Sequence, residues 1–191
     1  MNRTMMMMTC LFLGACSGGD TPSSPDSGTG NTTPDAQTVA QSWTISSDVS
    51  VNGINLSNAT RSAITRVLDF GDGPITVVQV TSAENYCELL KADGCLENGE
   101  VLLTFQIYGD EPGSYPLTSL LDQDPGHMSA SFVGIDLNCT GAGIGPSDGW
   151  AEVHRMDLGP GGAVEMEFDL SLIAGSVGGM VTAPWCEVDP S

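Results

Sequence analysis

Val164-Glu165-Met166-Glu167-Phe168-Asp169-Leu170-Ser171-Leu172 decides the fold. Five apolar residues alternate without a break with four polar ones. Side chains on a strand point to opposite faces in turn, so this pattern puts one face in a core and the other in water. A helix would scatter the same residues around its axis. Working outward, Val101, Leu103, Phe105 and Ile107 alternate with Leu102, Thr104, Gln106 and Tyr108, and Val133, Ile135 and Leu137 lead in the same phase to Cys139. Weaker strand patterns lie near residues 43–50, 61–69, 75–81, 149–158 and 177–187. Between them stand turn signals: Gly71-Asp72-Gly73-Pro74, Asp110-Glu111-Pro112-Gly113 and Gly159-Pro160-Gly161-Gly162. Short strands punctuated by Gly and Pro predict an all-β fold, an antiparallel sandwich or barrel of about eight strands. One helix is predicted inside it, over residues 82–93. Ser82 can cap it, Glu84 sits in its first turn, Tyr86 and Leu90 share a face, Lys91 lies in the last turn and Gly94 can end it.

Three stretches divide the chain: residues 1–15 as a leader, 16–41 as a tether and 42–191 as one folded domain, long enough to bury its own core. Residues 17–41 are mostly Gly, Ser, Thr, Pro and Asp, with almost nothing to bury, which predicts a flexible spacer of roughly 25–30 Å. Four cysteines fall in the folded part, Cys87, Cys95, Cys139 and Cys186. An even number in an exported domain predicts disulfides. Three pairings are possible; the sequence reading favours Cys87–Cys95, tying the helix to its exit, and Cys139–Cys186, tying a middle strand to the last one. Chain entropy would make these worth roughly 2.5 and 4 kcal/mol.

Charge excludes some functions. Of five bases Arg3 falls in the leader, leaving Arg61, Arg66, Lys91 and Arg155 against 24 acids. Nucleic-acid binding needs Lys and Arg to neutralise phosphate, so no nucleic acid is expected as a partner. An anionic lipid surface is disfavoured for the same reason.

Few residues carry recognisable chemistry. Gly145-Pro146-Ser147-Asp148-Gly149 matches the string of a nucleophile elbow, but that turn needs a strand before it and a helix after it. Two histidines, His127 and His154, are too few for a multi-His metal site, and the cysteine spacings are not those of zinc. Asp69 with Asp72, and Asp122 with Asp124, could offer oxygen ligands to calcium, yet neither fits a helix-loop-helix calcium loop. No metal, cofactor or catalytic residue is expected. The loops near 109–126 and 140–149, rich in Gly, Pro and Asp, are the expected contact surface.

The leader carries the clearest motif. Arg3 precedes an apolar run of about nine residues, Met5 to Leu13, broken by Thr9 and Cys10, and Gly14 and Ala15 lead to Cys16. At about 1.5 Å per residue the run is too short to span a bilayer core of about 30 Å, so it is a signal peptide rather than an anchor. Leu13-Gly14-Ala15-Cys16 resembles the lipobox of bacterial lipoproteins, while Cys10, after Thr9, makes a poor alternative. That resemblance implies diacylglycerol on the Cys16 sulfur, cleavage just before it and acylation of the new amine. Two or more chains would give stable membrane anchoring. Ser17, rather than Asp, resembles the sorting signal for the outer membrane of a Gram-negative bacterium. The folded part loosely resembles uncharacterised β-rich bacterial lipoproteins, through Tyr86-Cys87 and the closing Ala183-Pro184-Trp185-Cys186. The resulting expectation is a lipid-anchored envelope protein serving as a non-catalytic binding or structural module. The alternative is a small periplasmic or surface hydrolase using paired carboxylates.

Overall fold

The structure is a computed structural model, and it describes residues 39–69, 74–119, 123–135 and 141–188. The leader, Cys16, most of the tether, Asp72, Asp122 and Cys139 lie outside the described residues.

The all-β expectation holds, with two five-stranded antiparallel sheets facing each other. The first is ordered β1-β10-β9-β8-β5, from β1 (Ser42–Ser47), β10 (Gly175–Pro184), β9 (Ala163–Leu172), β8 (Asp148–Met156) and β5 (Gly113–Pro116). The second is ordered β2-β3-β4-β6-β7, from β2 (Ser62–Asp69), β3 (Pro74–Thr81), β4 (Val101–Ile107), β6 (Met128–Ile135) and β7 (Gly141–Ile144). Two short helices, α1 (Leu56–Ala59) and α2 (Tyr86–Lys91), complete the described elements. Strands β5 and β7 exceed the sequence expectation. Each is four residues long, too short to show a period, and β7 reads Gly-Ala-Gly-Ile.

Alternation builds the core. Val164, Met166, Phe168, Leu170 and Leu172 of β9 are buried, and Val101, Leu103, Phe105 and Ile107 of β4 meet them from the other sheet. Phe105 and Phe168 pack edge to face, with ring centroids 4.8 Å apart. Each such buried side chain contributes about 1.5–3 kcal/mol of transfer free energy. The sheets also touch at two corners. Past β10, Trp185 bridges to Thr65 in parallel fashion, the Cys186 amide donates to the Thr65 carbonyl (2.7 Å), and the Thr65 hydroxyl donates to the Ala183 carbonyl (2.8 Å). Past β5, the Leu117 amide donates to the Gly149 carbonyl (2.9 Å) in the first sheet, and the Thr118 amide to the Met128 carbonyl (2.7 Å) in the second.

Helix α2 is half the length expected. Ser82 does not cap it; the Ser82 hydroxyl accepts from the Val101 amide (3.0 Å) and so fixes the crossing into β4. Asn85 precedes the helix in the left-handed region (φ 52°) without a side-chain cap. The helix covers the outer face of the second sheet. Tyr86, Leu89 and Leu90 pack there with Ile64 of β2, Leu102 of β4, and Val133 and Ile135 of β6.

The disulfide expectation is corrected. Cys87 bonds to Cys186, across 99 residues, with Cα atoms 5.6 Å apart. That excludes both Cys87–Cys95 and Cys139–Cys186. The reason lies in the corner at Thr65. It turns the chain after β10 onto β2, and α2 packs on the outer face of that same strand, so Cys186 arrives beside Cys87. Cys95 is itself disulfide-bonded.

Candidate functional site

At the end of the second sheet where β3 begins and β4 stops, the surface opens into a recess of about 330 Å³. Its described lining is Pro74, Ile75, Tyr108, Gly109, Asp110, Gln123 and Pro125. Ile75 and Tyr108 are buried and form its floor, while Pro74, Asp110, Gln123 and Pro125 are exposed and form its rim. It belongs to the first of the two loops expected to make contacts. The second is mostly not loop, since Gly141–Ile144 is β7 and Asp148 opens β8.

The walls are fixed by the local sequence. Asp124-Pro125-Gly126-His127 is a turn with Pro second and Gly third. Gly126 takes φ 79°, and the His127 amide donates to the Asp124 carbonyl (3.2 Å). This turn clamps Tyr108, whose amide donates to the His127 carbonyl (3.0 Å) and whose carbonyl accepts from Gly126 (2.9 Å). The Tyr108 hydroxyl lies 2.9 Å from that of Ser129 and donates to the Gln106 amide oxygen (3.2 Å). That hydroxyl is therefore engaged along the sheet.

Asp110 is held from both sides. The Gly109 carbonyl accepts from the Thr76 hydroxyl (3.1 Å), and the Glu111 carbonyl accepts from the Tyr115 hydroxyl (2.6 Å). Gly109 is required here, because a Cβ would lie 2.5 Å from the Tyr115 oxygen. Burial raises the Tyr115 phenol above its ordinary value despite the hydrogen bond to Glu111, and the charges of Asp110 and Glu111 push the same way. Asp110 joins none of the ion pairs among the described residues.

The remaining candidates fall elsewhere. Ser147, centre of the elbow-like string, donates its hydroxyl to the Ser171 carbonyl (3.2 Å), and strand β8 follows it rather than a helix. The string is the crossover from β7 in the second sheet into β8 in the first. His154 is exposed on β8, at its bulge, and His127 precedes β6 with Nδ1 3.3 Å from the Pro125 carbonyl. Among the described residues no group of three or more His, Cys, Asp or Glu could hold a metal ion. Asp124 is exposed, the Asp69 side chain is not among those described, and Asp72 and Asp122 lie outside the described residues.

Sequence reasoning missed a polar seam on the outer face of the second sheet. Arg66 sits largely out of water near Tyr86. Burial lowers its guanidinium from the ordinary value, and the Tyr86 charge opposes that. Tyr86 is raised, chiefly by its own burial and against the nearby Arg66. Gln79 donates to the Thr104 hydroxyl (3.5 Å). Arg66 Nε and Gln79 Oε1 are buried without a partner among the described residues, so the seam offsets part of the stabilisation that α2 brings. The signal was Arg66 and Gln79 standing on strands that otherwise read as apolar.

Among the described residues no helix is long and apolar enough to cross a membrane. No protein-family model, curated protein or solved structure matches the chain.

Proposed function

We propose that the chain is a lipid-anchored cell-envelope protein, exported and held at the outer membrane of a Gram-negative bacterium through acylated Cys16. Its β-sandwich is a non-catalytic binding or structural module. The observation that carries the reading is the Cys87–Cys186 bond, which joins residues far apart in sequence and belongs in an oxidising compartment. The lipobox-like Leu13-Gly14-Ala15-Cys16 supplies the route there and the anchor. A rigid sandwich with a clamped recess at one end suits binding, since the strands hold the loops and the loops make the contacts. The rival hydrolase reading needs two carboxyls facing across a cleft. The described lining of the recess holds one, Asp110, so no observation favours it.

The test is fractionation of cells expressing the wild type and Cys16→Ser. The wild type should sediment with outer membranes and yield an N-terminal peptide bearing acyl chains. Cys16→Ser should accumulate uncut or leave the membrane. A Cys16→Ser protein that is still processed and still membrane-bound overturns the reading.

A further inference from the structure

We propose that the recess at Asp110 binds an alkylammonium group: a primary amine on a short aliphatic stem. This gives the binding-module reading a ligand class and rests on that reading for its context.

Three features carry the inference. The floor is apolar and aromatic, from Ile75 and Tyr108, and the Tyr108 hydroxyl is engaged with Gln106 and Ser129. The recess therefore offers carbon surface below and suits an aliphatic stem. The charged group of its described lining is a carboxylate on the rim, joined to no cation among the described residues. The backbone that carries it is already placed, because the carbonyls on either side of it, at Gly109 and Glu111, are both hydrogen-bonded to side chains of the sandwich. An ordered group loses less freedom when a ligand arrives. The chain's formal charge of −19 adds a field that gathers cations and repels anions. A stem lying in the recess brings an ammonium to the Asp110 rim. An anionic ligand would be repelled by the carboxylate. Because Asp110 is exposed, the ion pair is a weak one, and binding in the millimolar range is expected.

The amine has two sources, a small free amine or the lysine side chain of a peptide. The experiment separates them. The ¹⁵N-labelled full mature chain, in a non-ionic detergent, is titrated with n-butylammonium, with n-butanol as its neutral isostere, and with a capped Gly-Lys-Gly peptide. Saturable shifts confined to the amides of Gly109, Asp110 and Gly126 are expected with n-butylammonium and not with n-butanol. Asp110→Asn should weaken the ammonium about three- to tenfold, because an exposed pair of this kind is worth roughly 1 kcal/mol. Tighter binding of the peptide than of n-butylammonium assigns the site to a protein partner's lysine, and equal or weaker binding assigns it to a free amine. Equal affinity for n-butanol and n-butylammonium, no saturable shift at those amides, or an unchanged affinity in Asp110→Asn overturns the inference. Asp110→Asn should still fractionate with membranes, so failure here and failure of the anchor reading are told apart.

Discussion

Replacing both Cys87 and Cys186 by alanine should cost the folded domain about 3–4 kcal/mol. The magnitude comes from the loop. The bond closes a separation of 99 residues, and a closed loop of about 100 residues removes roughly 4.7 kcal/mol of unfolded-state entropy. Two features of the structure modify that figure. Cys95 lies inside the loop and is itself cross-linked, so part of the same chain is already constrained when the bond is cut. Cys186 is 1% exposed, and its loss as a packed side chain adds a smaller term of the opposite sense. At about 2–4 °C per kcal/mol for a domain of this size, the melting temperature should fall by roughly 6–16 °C. Urea melts monitored by circular dichroism are the assay, and they carry a second signature. If the bond acts on the unfolded chain, the variant unfolds to a more expanded ensemble, so the m-value should rise while the midpoint falls. Amide exchange should speed up first in Tyr86–Lys91, which the bond ties to the strand end at Cys186. A double variant lacking the cross-link that melts within about 2 °C of the wild type, with the same m-value, would refute the reasoning. Peptide mapping without reductant should independently return Cys87 joined to Cys186.

Further outcomes follow from the packing and the charges. Gly179→Ala should destabilise by about 1–3 kcal/mol in thermal melts, because Gly179 has φ 149° and a Cβ there would run into the Thr44 carbonyl of neighbouring β1; wild-type stability would sink the β1–β10 register. Tyr86 is held neutral by burial above its ordinary value of 10.0, so the folded state keeps a proton that the unfolded chain gives up. Its contribution is therefore complete below about pH 10 and lost as pH rises through the folded pKa. Urea melts of Tyr86→Phe should show a shallower alkaline decline than the wild type, and parallel declines would contradict this. Glu152 and Glu167 stand directly opposite each other on β8 and β9, an arrangement that costs about 0.2–1 kcal/mol. Glu167→Gln should therefore raise the melting temperature by roughly 1–3 °C at about 0.01 M salt, and by less at about 0.15 M, where the Debye length shrinks from about 30 Å to about 8 Å. No gain at low salt would show that the two carboxylates are already screened.

The long strands were legible because burial on one face writes a period of two into the sequence. Val164 to Leu172 does so without exception and Val101 to Ile107 with one, Leu102, which packs under α2; both strands occupy the centres of their sheets. Strands β5 and β7 escaped because four residues carry no period, and in β7 the glycines exist for packing. A Cβ on Gly141 or Gly143 would strike the Val133 side chain. The helix was visible in kind but not in extent. Ser82 has the chemistry of a cap, yet its hydroxyl was needed by the Val101 amide at the start of β4, and tertiary demand overrode local preference. The disulfide was misassigned for a topological reason. Pairing by sequence proximity favours the short loop between Cys87 and Cys95. Nothing local announces that Thr65 will capture Trp185 and Cys186 and turn the chain end onto β2.

The recess shows the same division between local and distant causes. Its turn has a local cause, since Pro125-Gly126 dictates the backbone that clamps Tyr108, although only the loop as a whole was expected there. The placing of Asp110 could not. It depends on Thr76, more than thirty residues earlier, and on Tyr115, which reaches back to Glu111 because Gly109 leaves it room. Twenty-four acids crowd this sequence, and composition ranks none above the others. What separates Asp110 is the way its two neighbouring carbonyls are held, together with the carbon surface beneath it. On β9, Glu165, Glu167 and Asp169 stand on the outward side of the strand, and Glu165 already has Arg155 at 3.2 Å. A carboxylate exposed to water on a strand face gains little from a cation. The same group at the lip of an apolar hollow gains a partner whose stem the hollow can also desolvate. The site is therefore set by the recess beneath Asp110 and the held backbone around it, two properties that residue counts do not carry.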